Sequence, residues 1–256
     1  IVIFSLFFGV ALGSIGETGK RLIHGIENLA EVVFKMVNYV MEVAPYAVFA
    51  AMTTVVANKG LSILISYGYL MLCFMGGLLF FTTVILWLIA AVNGINYWKL
   101  LKELKEALLI SFSTASSEAS FPQTIAALEK FGCSRRIVGF VLPLGYSFNL
   151  DGSMLYMTFA TGFIAQAYGV HLSMEQQITM LLTLMITSKG IAGVPRASLV
   201  IIAGTLTMFN LPAEGIALLL GVDPFLDMGR TVTSVAGNGV ATCVVSKWEG
   251  EFTPTT

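Results

Sequence analysis

The chain has 256 residues, of which 56% are hydrophobic and 11% charged, against about a quarter charged in soluble domains. Its net charge is −1 and its mean hydropathy +0.84. No residue between Lys59 and Lys99 is charged, a run well beyond the ~20 apolar residues that span a bilayer. These figures exclude an ordinary soluble domain and predict an all-α polytopic membrane protein.

Cys73, Cys133 and Cys243 are odd in number and unrelated in spacing, so neither a disulfide framework nor a metal knuckle is indicated. The opening IVIFSLFFGVALGSIG has no Met and no basic n-region, so it does not read as a signal peptide. A start inside an apolar segment is expected of a piece that lacks its N-terminal spans.

Apolar segments fall at 1–15, 27–57, 61–93, 107–128, 137–170, 176–209 and 215–246. Segment 27–57 carries Glu27, Glu31, Lys35 and Glu42 at helical spacing and Pro45 as a kink. Its first half is amphipathic and suits an interface or a subunit contact. Segment 61–93, as one helix, would be about 50 Å long and must tilt or bend.

Lys and Arg concentrate on cytoplasmic loops. Lys99, Lys102 and Lys105 precede segment 107–128, and Lys130, Arg135 and Arg136 follow it. Both ends are therefore cytoplasmic, and the segment enters and returns. Its middle, STASSEASFP (113–122), is hydroxyl-rich and interrupted by Glu118 and Pro122. Segment 176–209 is flanked by His171, Glu175 and Glu214 and broken by Gly190, Gly193 and Pro195, which predicts a second hairpin from the opposite side. Segment 137–170 runs outward between them, and 215–246 runs back to Lys247. Hairpin, span, hairpin, span, with the second pair inverted, is the inverted-repeat pattern of secondary transporters. Irregular backbone at membrane depth lines a cavity or is buried in protein, so both hairpin tips point to the site.

Within 215–246, Asp223, Asp227, Arg230, Thr231, Ser234 and Asn238 follow spacings of three and four, an arc of about 100° on a helix. A charge near the bilayer centre costs at least ~2.5 kcal/mol, so three on one face need a reason. One reading is an internal Asp–Arg pair that staples helices. The other is a pocket for a zwitterionic or anionic solute, with Arg230 gripping a carboxylate and Asp227 an ammonium group. Segment 137–170 carries NLDGS (149–153), with Asp151 its only charge. This turn-like sequence predicts an unwound helix whose freed carbonyls and carboxylate suit a small cation. The plainer reading is a kink held by the Asn and Asp side chains.

From Lys99 to Lys247 the chain resembles the glutamate/aspartate and dicarboxylate–cation symporter family. The resemblance rests on STASSEASFP, LPLGYSFNLDGS (142–153), SKGIAGVP (188–195) and VDPFLDMGRT (222–231). It implies a glutamate-transporter-like fold with two re-entrant helical hairpins and inverted repeats, assembled as a homotrimer working by an elevator motion. Residues 1–57 would be scaffold spans, 61–247 the transport domain and 248–256 a cytoplasmic tail, in a plasma membrane such as the bacterial inner membrane. Ser116 and Ser117 would hold the solute's α-carboxylate, and backbone around Gly193 would gate it. Asp227 would bind the amino group, Arg230 and Ser153 the side-chain carboxylate, and Thr231 would add a hydroxyl. Gly145, Asn149, Ser234 and Asn238 match one family sodium site. Ser147 and carbonyls of Ser188 and Ile191 match a second. Asn149 and Asp151 match part of a third.

The implied function is symport of an acidic amino acid, glutamate or aspartate, with Na+ and/or H+. Asp227 favours an amino acid over a C4-dicarboxylate, which has no ammonium group to meet it. Relatives that use sodium often carry Asp at position 238 and Asn at position 234, so Glu118, Asp223 and Asp227 are candidates for proton coupling. Lys189 and Arg196 either pair with Glu118 or face water. The Met and Phe residues are lipid-facing or core, and His24 and His171 sit at span ends. The basic clusters are explained by topology, so nucleic-acid binding has no support. No phosphate-binding GxxxxGK[ST] occurs, so ATP-driven pumping is not indicated; the resemblance implies a secondary transporter that is not an enzyme and uses no cofactor. The rivals are a channel, and an intramembrane aspartyl protease with Asp151 and Asp227 as a dyad. Arg230, one turn from Asp227, opposes the protease by keeping that carboxylate ionised.

Overall fold

The computed structural model describes residues 2–43, 46, 49, 50, 53, 54, 56, 57, 60, 61, 63–190 and 197–253. The chain divides into two compact units, Ile1–Thr54 and Val55–Thr256. Pro45 lies outside the described residues.

The first unit holds α1 (Val2–Ser14) and α2 (Glu17–Glu42). They are joined at Gly16, whose φ of +61° is a left-handed conformation that glycine adopts without strain. α1 is apolar on every side, whereas α2 alternates charge and apolar residues at helical spacing. Phe4, Phe7 and Val10 of α1 and Leu29, Val32 and Met36 of α2 are exposed within the chain. So much apolar surface calls for a lipid or protein cover.

The second unit opens with α3 (Ile63–Phe80), a π-helical turn at Phe81–Ile85 and α4 (Leu86–Val92). Among the described residues, Leu64–Val92 is the one helix long and apolar enough to cross a bilayer. The π turn is a local change of helical pitch inside this long segment, a place where a helix can bend. There the Tyr97 hydroxyl donates to the Thr82 carbonyl at 2.6 Å, and Thr82 Oγ1 meets Thr233 Oγ1 at 3.3 Å. Burial pushes the Tyr97 phenol up to about 12.

α5 (Tyr97–Glu103) is capped by Asn96, whose side chain accepts from the Lys99 amide at 3.0 Å. α6 (Lys105–Thr114) and α7 (Phe121–Phe131) follow, separated by non-helical residues 115–120. Ala115 lies there at a left-handed φ of +49°. α8 (Arg135–Phe148) ends at Asn149–Leu150, where the backbone leaves helical geometry, and α9 (Asp151–Ala167) resumes. α10 (Met174–Thr187) starts at a reciprocal Ser173–Gln176 cap and runs into a 3₁₀ turn at Ser188–Gly190. α11 (Ala197–Met208), the short α12 (Ile216–Leu220) and α13 (Asp223–Trp248) complete the unit. Segment 215–246 is thus divided between α12 and α13. Pro224 has no amide hydrogen to continue α12 but fits the first turn of α13. No β-strand occurs among the described residues.

α13 is the axis of this unit and packs against α9, α8 and α6. From Leu226 to Ser246 it is buried on nearly all sides, which explains why it lacks a single apolar stripe. Tyr97, Leu100, Leu104, Leu128, Leu142 and Val240 form the core of one end. At that end Glu103 pairs with Lys130 at 2.8 Å, and this hydrogen bond holds the Glu103 carboxyl below its ordinary range. Arg136 reaches Glu251 at 3.2 Å, Lys247 donates to the Gly94 carbonyl at 3.1 Å, and Trp248 Nε1 donates to Asn93 at 3.0 Å. Residues 93–103, 130–136 and 247–252 therefore gather at one end of the bundle.

Tyr97→Phe leaves the Thr82 carbonyl without its donor and is expected to destabilise the fold by about 1–3 kcal/mol. Thermal unfolding in detergent checks this, with the exposed Trp98→Phe as a control that changes little.

Candidate functional site

The N-terminal half of α13 carries the buried charge. Arg230 is 2% exposed, Asp227 5% and Asp223 0%. Arg230 Nε donates to Asp227 Oδ1 at 2.7 Å, and Nη1 donates to Asp223 Oδ1 at 3.3 Å. The guanidinium also lies over the Tyr156 ring, 4.3 Å from its centroid, and the Tyr156 hydroxyl sits beside Asp223. A guanidinium so enclosed must be paired, and two carboxylates pair it. Asp223 stands in the first turn of α13, where the helix dipole favours negative charge. Tyr156 is the partner that sequence reading missed. Its only signal is its place on α9, three residues after Ser153.

The second cluster forms where the α8–α9 break crosses α13. Asn149 Nδ2 donates to Asn238 Oδ1 at 3.2 Å and to Asp151 Oδ2 at 3.4 Å. Asn238 Nδ2 returns a bond to the Asn149 carbonyl at 3.3 Å. The Gly152 amide donates to Ser234 Oγ at 3.1 Å, and Ser234 Oγ donates to the Arg230 carbonyl at 3.0 Å. The missing side chains of three glycines allow this approach. A Cβ at Gly152 would lie 2.0 Å from the Arg230 carbonyl oxygen, one at Gly145 2.2 Å from Asn238 Oδ1, and one at Gly237 2.1 Å from Asp151 Oδ2. The result is a concentration of carboxylate, amide, hydroxyl and carbonyl oxygens, a donor set suited to a small hard cation. The same bonds also hold the kink together. Lys189 donates from Nζ to the Phe148 carbonyl at this break, a contact that neither alternative drawn from the sequence, pairing with Glu118 or facing water, names.

The remaining candidates lie nearby in the chain but bond locally. In the break between α6 and α7, the Ser116 amide donates to Thr114 Oγ1 at 3.3 Å, and the buried Ser117 accepts at its carbonyl from Ser120 Oγ at 2.9 Å. Glu118 is exposed there. Ser153 sits in the first turn of α9, and Thr231 is buried one residue beyond Arg230. Ser147 Oγ donates to the Pro143 carbonyl at 3.4 Å, and the buried Ser188 donates to the Met185 carbonyl at 3.0 Å. Ile191, Gly193 and Arg196 lie outside the described residues. A cleft of about 720 Å³ between α3 and α9 is lined by Tyr69, Cys73, Phe159, Phe163 and Gln166 among others. Its lining carries no charge, so the charged cluster on α13 is the better seat for an ionic solute.

Gly152→Ala drives a methyl group into the α13 backbone and is expected to destabilise by about 3 kcal/mol. Gly162→Ala, on the same helix, meets nothing within 4 Å and is expected to stabilise by about 0.5–1 kcal/mol. Thermal unfolding of the two variants side by side measures how closely α9 and α13 approach.

Residues 1–248 match the Sodium:dicarboxylate symporter family. The chain is 44% identical over 252 residues to the proton/sodium-glutamate symport protein of Bacillus caldotenax, covering 98% of this chain and 60% of that protein. It is 45% identical over 253 residues to the proton/glutamate-aspartate symporter of Escherichia coli, covering 98% and 58%. It is also 42% identical over 253 residues to the C4-dicarboxylate transport protein of Bacillus subtilis, covering 98% and 60%. The chain thus spans about three fifths of the length of these relatives. With all-α architecture, a buried charged cluster and a family match along nearly its whole length, the chain belongs to the sodium:dicarboxylate symporter family, a family of transporters and not of enzymes.

Proposed function

We propose that the protein containing this chain is a secondary active symporter for an acidic amino acid, coupled to the inward flow of H+, Na+ or both. The buried Asp223–Arg230–Asp227 cluster is the observation that carries this reading. A solute carboxylate that takes Arg230 must displace a protein carboxylate, which would then be buried without its cation. An acidic amino acid resolves this by an exchange of partners. Its side-chain carboxylate takes the guanidinium, and its ammonium group takes the released Asp227. A C4-dicarboxylate satisfies Arg230 but leaves Asp227 unpaired. The dicarboxylate reading has its own support in the relatives of that name.

In this reading Ser116 and Ser117 hold the α-carboxylate, Ser153 and Thr231 complete the pocket, and backbone around Gly193 closes it. The α8–α9 break and Asn238 supply a cation seat, with Glu118 and Asp223 as proton carriers. Segments 107–128 and 176–209 are re-entrant hairpins of an inverted repeat. The gathering of residues 93–103, 130–136 and 247–252 at one end supports the first of them, because both of its basic flanks then face one side of the membrane. Residues 61–247 form a mobile transport domain and 1–57 part of a trimeric scaffold, with the C-terminus cytoplasmic.

Full-length protein in liposomes is expected to accumulate labelled L-glutamate or L-aspartate when an inward H+ or Na+ gradient is imposed. Replacing Na+ with choline, then collapsing the pH gradient, identifies the coupling ion. The absence of gradient-driven uptake of either amino acid would rule out this substrate class. Asp227→Asn is expected to weaken amino-acid binding by about 10–100-fold, the worth of a hydrogen bond to a charged group, and to weaken succinate binding far less. Competition against labelled solute measures both, and an equal loss for the two solutes would favour the dicarboxylate.

A further inference from the structure

We infer that Lys189 supplies a tethered ammonium group in place of one coupling Na+ at the α8–α9 break; this builds on the symporter reading above. Phe148 is the last residue of α8, and its carbonyl would ordinarily accept from the amide four residues on. That amide, on Gly152, instead donates to Ser234 Oγ at 3.1 Å. The Phe148 carbonyl is thereby released from the helix, and Lys189 Nζ donates to it.

The setting favours a cation there. The C-terminal end of α8 concentrates unpaired carbonyls and the negative pole of the helix dipole. The Asp151 carboxyl lies within electrostatic reach of Lys189 at the same break. The lysine is delivered by the 3₁₀ turn Ser188–Gly190, which the buried Ser188 anchors through its bond to the Met185 carbonyl at 3.0 Å. An ammonium group has three donors and no acceptor, so it occupies the Phe148 carbonyl without offering a ligand to a metal ion. Sodium brought to the same carbonyl would meet a like charge at contact distance. Lys189 therefore makes this part of the oxygen cluster a poor sodium site. It provides the positive charge permanently, as part of the protein, where a free ion would be bound and released in each cycle. The oxygens around Asn238 and Ser234, on the α13 side of the break, are left for any ion that moves.

The test uses full-length protein in liposomes under a constant pH gradient, with Na+ exchanged for choline at constant ionic strength. For wild type, Lys189→Gln and Lys189→Arg, the logarithm of the KM for labelled glutamate is followed against the logarithm of Na+ concentration. Lys189→Gln is expected to gain a dependence steeper by about one Na+ per solute, whereas Lys189→Arg keeps the wild-type slope. Equal slopes in wild type and Lys189→Gln, or a slope raised by one in Lys189→Arg, would overturn the inference. Thermal unfolding in detergent, with Na+ or choline, provides an arm independent of transport. Added stabilisation by Na+ should appear in Lys189→Gln and exceed that in wild type; the same Na+ effect in both proteins overturns the inference. Failure of wild type to take up any acidic solute counts against the symporter reading alone, because the unfolding arm still decides the role of Lys189.

Discussion

A guanidinium with almost no contact with water cannot stand alone, and the second unit of this chain is arranged around that constraint. Arg230 is held by Asp227 and Asp223 on its own helix and covered by Tyr156 from α9. Asp223 lies where the dipole of α13 favours it, so helix and side chain agree in sign. The cluster sets two carboxyl groups against one guanidinium, and in the proposed symporter the solute's ammonium group becomes the partner of Asp227. In the proposed symporter, stability and solute recognition draw on the same residues. A purely structural ion pair has no need of the second carboxylate.

The two clusters share a physical connection. Ser234 donates to the Arg230 carbonyl and accepts from the Gly152 amide, so one hydroxyl ties the charged turn of α13 to the first turn of α9. The three close approaches at Gly145, Gly152 and Gly237 leave little room to move one helix without the other. A change at Arg230 is therefore felt at the Asn149–Asp151 break through direct contact. Symport requires coupling of this kind between a solute site and a cation site.

Much of this was legible in the amino-acid order, and the reasons are local. The polar arc from Asp223 to Asn238 follows from helical periodicity, and all six of its residues are buried on α13. The break at Asn149–Leu150 follows from turn-forming chemistry inside an apolar segment, and the backbone departs from the helix there. Other features had no local signal. The start of α13 at Asp223, after a separate α12, depends on a turn that apolar composition conceals. The π turn at Phe81–Ile85 sits in an unbroken apolar run, and the Tyr97 hydroxyl that bonds its Thr82 carbonyl comes from a different helix.

Sequence alone determined the class of this protein, the scarcity of its buried charges and the helix face on which they lie. Those properties follow from composition and from a period of 3.6 residues, which no folding partner can alter. Tertiary structure alone decided the partners that other helices bring: the Tyr156 ring for Arg230 and the Phe148 carbonyl for Lys189. A buried charge takes whichever opposite dipole or charge packing brings within hydrogen-bonding distance. For Lys189 that partner lies 41 residues away along the chain, and only the folded chain brings the two together.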